Sequence, residues 1–155
     1  MSDVSDQTED DNTNVDKNSG TDISDNSQTS TDGYLVIEEW GIKIKMRDAD
    51  KITPSVYFPE APIQFFGNNA YWDSQISYTI NENALHNKEC SDNANGAILR
   101  FVSTGGSTNY RIVGNYAYFS MPAPGAGQCG SNAEDLALQQ RILEDFVPAN
   151  IFAKN

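Results

Sequence analysis

The chain has 155 residues, with 10 lysines and arginines against 22 aspartates and glutamates, and a formal net charge of −12. That balance excludes a nucleic-acid or anionic-lipid binder, because neutralising phosphates needs a surplus of Lys and Arg. No run of 18 or more apolar residues is present to span a membrane, and no signal peptide begins at Met1.

Residues 1–32 are almost purely Asp, Ser, Thr, Asn and Gln, with nine acids and only Lys17 as a base. This segment carries −8 of the −12, so the remainder is only mildly acidic. Too little apolar surface is available to repay the entropy of ordering such a backbone, which predicts a disordered acidic tail. It reads as a self-repelling spacer, or more plainly as a solubilising terminus. Residues 33–155, about 120 in all, are enough for one domain with a real core. Taken literally, a chain with no leader points to the cytosol; a chain cut after a leader or membrane helix would look the same.

The domain opens with residues 34–46. There Trp40, Ile42, Ile44 and Met46 alternate with Gly41, Lys43 and Lys45, the period of a half-buried antiparallel strand. Residues 34–37 are apolar on both faces, and Glu38 would share a face with Trp40, so a bulge or an exit from the core is expected at Glu38. Residues 47–50 read as a turn, and 52–58 as a short strand for which Pro59 and Pro62 indicate an edge or an exit. A further short strand is expected at 63–66 and a turn at 67–69. In 71–80, Trp72, Ile76, Tyr78 and Ile80 alternate in one strand.

Residues 81–90 hold at most one helical turn, around Glu82 to Leu85. Residues 97–102 are a short apolar strand and 104–107 a turn. Residues 110–120 read as the longest later strand, with Ile112, Tyr116 and Tyr118 on one face and Val113 and Phe119 on the other. The Pro- and Gly-rich stretch 121–130 is a loop. Ser131 and Glu134 form a capping box, Asp135 adds favourable charge in the first turn, and Pro148 stops the helix. Leu136, Gln139, Leu143 and Phe146 should lie on its buried side, with Ile142 beside them. Strands followed by one terminal helix predict an α+β domain: an antiparallel sheet with the C-terminal helix packed on one face.

Cys90 and Cys129 each sit among loop-forming residues. A bridge between them would close a loop of roughly 40 residues and stabilise by about 4 kcal/mol in the chain-entropy model. Two unpaired loop thiols in a reducing compartment are the other reading. The bridged reading favours an extracytoplasmic location.

Residues 34–44, YLVIEEWGIKI, resemble the "YLVIKEWGV" start of a family of small extracytoplasmic domains of uncharacterised activity, common in Saccharibacteria and related candidate-phylum bacteria. Cys90 followed by residues 95–100, and residues 116–120 leading to Cys129 and the final helix, are similar too. The resemblance covers residues 34 to about 147. It implies a domain held outside the cell, usually behind an apolar N-terminal helix and a Ser/Thr/Asp-rich linker, with the cysteine pair bridged. In some cases the architecture is pilin-like. It implies no activity, and the apolar helix is missing from this chain.

Candidate chemistry is sparse. His86 is the only histidine; as a general base it would use Glu82 or Glu89 as its partner. With no second histidine and no C-x-x-C pair, no zinc set is expected. No G-x-S-x-G elbow occurs, and Gly105, Gly106 and Ser107 form a turn, not a phosphate loop. Residues 91–96 and 48–50 are oxygen-rich turns that fit a weak calcium ion at most. No cofactor is implied.

Tyr57, Phe58, Phe65, Phe66, Tyr71, Trp72, Tyr110, Tyr116, Tyr118 and Phe119 are too many aromatic residues for alternation to send inward, so an exposed aromatic patch is expected. Its candidates are Tyr71, Trp72, Tyr116 and Tyr118. The sequence therefore predicts a non-enzymatic cell-surface or appendage (pilin-like) domain. It would act by protein or glycan contact, without nucleic acid, and would meet a membrane only through an anchor absent from this chain. The alternatives are a small extracytoplasmic hydrolase using His86 and, if the thiols are free, a cytosolic adaptor. Intact mass after alkylation checks the cysteines: two alkyl groups per chain are expected only after reduction, and labelling without reduction removes the oxidising address.

Overall fold

The computed structural model describes residues 30–65, 69–92, 97–106, 109–121 and 129–155. Most of the expected acidic tail, most of the turn at 67–69 and of the loop at 121–130, and residues 93–96 of the 91–96 turn lie outside the described residues. The domain is α+β, built from two antiparallel sheets and one C-terminal helix.

In the first sheet, β1 (Ser30–Thr31) pairs with β2 (Tyr34–Ile37) through Asp32 and Gly33, whose φ angles are 52° and 84°. Positive φ at both loop residues is the hairpin geometry that Asp-Gly favours. This dipeptide draws Ser30 and Thr31, expected in the tail, into the sheet. The exit expected at Glu38 is a second hairpin: a 3-10 turn at Glu38–Trp40 closes on Gly41 at φ 63° and leads into β3 (Ile42–Lys45). The predicted strand 34–46 is thus two strands. From the far end of the chain β10 (Ile151–Ala153) pairs with β3, giving the order β1-β2-β3-β10.

The second sheet contains β4 (Ile52–Tyr57), β5 (Ile63–Gln64), β6 (Ala70–Ile80), β7 (Ala97–Thr104), β8 (Arg111–Val113) and β9 (Tyr116–Met121). Its order is β4-β6-β7-β9-β8, with β5 also on β6. Because β7 takes one edge of β6, β4 and β5 both lie along the other. Pro54, Pro59 and Pro62 lack the amide an added strand would use, so this edge resists extension, as the prolines predicted. The strand expected over 110–120 is broken into β8 and β9 by a two-residue loop with Gly114 at φ 61°. The edge strands β8 and β10 are tied together by Arg111, whose Nε and Nη2 donate to the Ile151 carbonyl at 3.2 and 2.9 Å.

The helix α1 (Ala133–Asp145) is capped by Asn132, whose Oδ1 accepts from the Asp135 amide at 3.0 Å. The cap is one residue later than the expected Ser131 box. With that start, Asp135, Leu138, Gln139, Ile142 and Phe146 are buried, while Leu136 and Leu143 are only half-buried flanks. One core unites the helix with the inner faces of both sheets: Leu35, Ile37, Ile42 and Ile44 from the first, Ile76, Tyr78, Ile80 and Ile98 from the second. Phe146 meets Tyr78 edge-on, with ring centroids 4.8 Å apart. Arg47 pairs with Glu144 and Asp145, and Arg141 with Asp48, fastening the helix to the β3–β4 connection.

A β-bulge in β6 divides the second sheet's faces. Trp72 pairs with Phe101 and Ser74 with Arg100, so Asp73 is an extra residue. Before it, Ala70 and Trp72 pack with Leu99, Phe101 and Ala117 on the outer face. After it, Ile76, Tyr78 and Ile80 face the core. Simple alternation, which put Trp72 with Ile76, Tyr78 and Ile80, fails at this one residue. The Asp73 carboxylate accepts two bonds from Arg100, at 3.0 and 2.9 Å, and one from Ser74, whose hydroxyl accepts from Trp40 Nε1 at 2.9 Å. The Arg100 guanidinium lies 3.9 Å from the Tyr116 ring centroid, with Trp40 and Phe58 at 5.7 and 5.9 Å. Truncating Arg100→Ala strands the Asp73 carboxylate and empties this stack. It is expected to cost roughly 2–4 kcal/mol in chemical denaturation, and Arg100→Met combined with Asp73→Ser, which strands no charge, is expected to cost less.

Candidate functional site

The outer face of the second sheet is the candidate site. Register builds it in rows across the strands. One row runs Ile63, Trp72, Phe101, Ala117 and Ile112, from β5 to β8. The next runs Tyr57, Gln75, Leu99 and Phe119. The centres of these rows are buried, but their ends are not: Ile112 is 62% exposed, Tyr57 54% and Ile63 39%. Phe65 and Tyr110 reach in from the flanks and meet Phe101 edge-on at 5.2 and 4.8 Å, each also packing on Phe119. Such ring pairs stabilise by about 0.5–1.5 kcal/mol beyond their burial, which makes the platform rigid.

Between the rows lies an open cavity of about 210 Å³, lined by Gln64, Phe65, Trp72, Gln75, Leu99 and Met121. An indole, a phenyl ring, a thioether and two neutral amides line it, with no charged side chain. This is apolar contact surface with a few orienting polar groups, the usual composition of a binding site. No group in it can act as a nucleophile or general base.

Of the four predicted aromatic residues, only Trp72 reaches this cavity. Tyr71, its neighbour in β6, points to the opposite face. Tyr116 is half-buried beneath the Arg100 guanidinium. Tyr118 is 1% exposed, and burial pushes its phenol up to about 12. It packs on Trp40 at 5.2 Å as a core residue and presents no contact surface. The sequence reading missed Gln75, Phe65 and Met121 as cavity-lining residues, because only the Asp73 bulge sets Gln75 beside Trp72.

His86 is exposed, and its partners are not the glutamates expected. Glu82 and Glu89 give way to Asp135 and Glu134 of α1, each 3.2 Å from a ring nitrogen, Nδ1 and Nε2 respectively. Asp135 is buried and accepts from the amides of His86 and Asn87 at 2.9 and 2.8 Å. Those two amide bonds hold its carboxyl below the usual carboxylate range, and burial opposes them only in part. Gln139, fully buried, clasps the Cys129 backbone at both its amide and its carbonyl, at 3.0 and 2.8 Å. Asp135 and Gln139 thereby dock the two cysteine-bearing loops onto the helix, and Cys90 and Cys129 are bridged, with Cα atoms 5.7 Å apart.

The calcium reading at residues 48–50 fails on charge. Arg141 and Lys51 already hold the Asp48 carboxylate, at 3.0 and 3.3 Å. Burial pushes that carboxyl up, and these two cations outweigh it, so it too titrates below the usual range. The residues beyond Asp92 of the other oxygen-rich turn lie outside the described residues. Among the described residues no cluster of His, Cys, Asp or Glu is arranged to hold a metal, and no helix is long and apolar enough to cross a membrane. Compared with protein-family models, curated proteins and solved structures, the chain gives no match.

The Asp135 shift has a definite sign. A carboxyl lowered in the folded state contributes stability above its unfolded value, near 3.8, and loses it as pH falls through the lower folded value. Chemical denaturation between pH 7 and pH 2 is expected to show stability falling below about pH 4. Asp135→Asn is expected to be less stable at pH 7 and to flatten that fall. A variant curve parallel to the parent's would assign the acid sensitivity elsewhere.

Proposed function

We propose that this chain is a non-enzymatic contact domain of a cell surface or appendage, acting on a protein or glycan through the Trp72 face. One observation carries the reading: an outer sheet face, rigid at its centre and exposed at its ends, opens into a neutral cavity beside a half-buried indole. Exposed apolar surface of this kind marks contact sites. An extracytoplasmic address is supported by the Cys90–Cys129 bridge, since such bridges persist in oxidising compartments, and by the resemblance of residues 34–44 to domains held outside the cell. The same resemblance is the support for an appendage, pilin-like role.

The hydrolase reading is favoured by the His86–Asp135 contact, which is the pairing a general base uses. Its weakness is that carboxylates take both ring nitrogens. Among the described residues no hydroxyl or thiol is hydrogen-bonded to His86.

Binding of the disulfide-bonded chain to arrayed glycans and arrayed surface proteins tests the proposal. Trp72→Ala is expected to weaken the retained ligand by about tenfold or more, and Tyr71→Ala, on the opposite face, to leave it unchanged. Retention by both variants, together with a hydrolytic turnover abolished in His86→Ala, would transfer the function to the helix end.

A further inference from the structure

The outer face of the first sheet has a different chemistry from the Trp72 face. Tyr34, Val36, Lys43, Lys45 and Phe152 alternate with core residues and point away from the interior. Register sets Lys45 across from Tyr34, and Lys43 between Val36 and Phe152. The Lys43 ammonium lies 4.5 Å from the Tyr34 ring centroid, and the Arg111 guanidinium 5.3 Å from that of Phe152. Aromatic faces thus hold two of the three cations in place.

In a chain with more than twice as many acids as bases, most cations should find a carboxylate. Arg47, Lys51, Arg100, Arg141 and Lys154 do. Lys43, Lys45, Lys88 and Arg111 have no carboxylate within ion-pair distance among the described residues; Lys88 donates to the Glu82 carbonyl at 3.0 Å, while Lys43 and Lys45 lie on this face and Arg111 reaches it from β8 over Phe152. The surplus negative charge lies elsewhere in the chain: residues 1–29 carry eight acids and one lysine. That segment enters the fold at Ser30, in β1, the edge strand of this same sheet. Lys43 and Lys45 lie two strands away on β3, and Arg111 lies beyond β10, on β8. At about 4.8 Å per strand this span is within reach of five or six extended residues.

We propose that residues 1–29 are the ligand of this face: the chain's own acidic segment is held across Lys43, Lys45 and Arg111 as an intramolecular counter-charge. Covalent attachment gives it a high local concentration. Exposed ion pairs are individually weak and screened by salt, so the contact is reversible and sensitive to ionic strength. The face is then open to another polyanion only when the segment is displaced.

The test uses the full disulfide-bonded chain and a variant of equal length in which the eight acids of residues 1–29 are replaced by Asn or Gln. Backbone amide shifts of Lys43, Lys45, Arg111 and Phe152 are followed by NMR between about 20 mM and about 500 mM NaCl. In the parent these amides are expected to move with salt, while those of Trp72 and Gln75 stay still. The neutral-segment variant is expected to show the parent's high-salt positions already at low salt. Coincidence of the two proteins at low salt overturns the proposal. A parent shift that disappears on dilution of about fiftyfold also overturns it, because the bound segment then belongs to a second copy.

Discussion

Asp73 interrupts β6 and Arg100 holds it there. A strand inserted by one residue exchanges its faces, so this carboxylate and its guanidinium determine that Trp72 points outward while Ile76, Tyr78 and Ile80 point inward. The pair is also wired to the first sheet, because Trp40 donates to Ser74, which donates to Asp73. Two charges near a protein interior are costly unless each has its partner, and here the partner is fixed by three aromatic rings as well. The division of the second sheet into a core face and an outward aromatic face follows from this interaction.

A second set of polar groups, at the start of the helix, organises the loops. Asp135 satisfies two amides of the His86–Asn87 segment, and Gln139 satisfies both backbone groups of Cys129. Buried side chains replace the ladder that neither loop has and hold the two bridged cysteine loops against the helix. His86 belongs to this clamp. Its contact with two carboxylates is a consequence of docking a loop on a helix N-terminus, where negative side chains are favoured.

The two outward sheet faces divide the surface by chemistry. One offers rings, a thioether and amides without charge; the other offers three cations, two of them seated on rings, in a chain whose acids are densest in its first 32 residues.

Composition and period were sufficient for the class of fold. The shift from Ser, Asp and Thr to Tyr34–Ile37, the alternation through β3 and β6, the edge prolines, the helix before Pro148 and the loop cysteines are all local, and within the described residues the expected strands and helix are present, two of the strands each divided in two. The Asp32-Gly33 hairpin has a local signature too, positive φ at both residues, but the acidic composition of residues 1–32 assigned it to the tail. Local signals do not contain the packing partner. Asn132 replaces Ser131 as cap because burial of Asp135 and Gln139 sets the helix phase. The strands at 34–46 and 110–120 each break in two because the chain must turn back to cover a core that the windows themselves do not show. Tyr118 went to the core and Trp72 to the surface although both lie in alternating runs, since one bulge, stabilised by an arginine 27 residues away, reverses the face of everything on one side of it. Sequence period thus determined which residues alternate, and tertiary pairing decided towards which side.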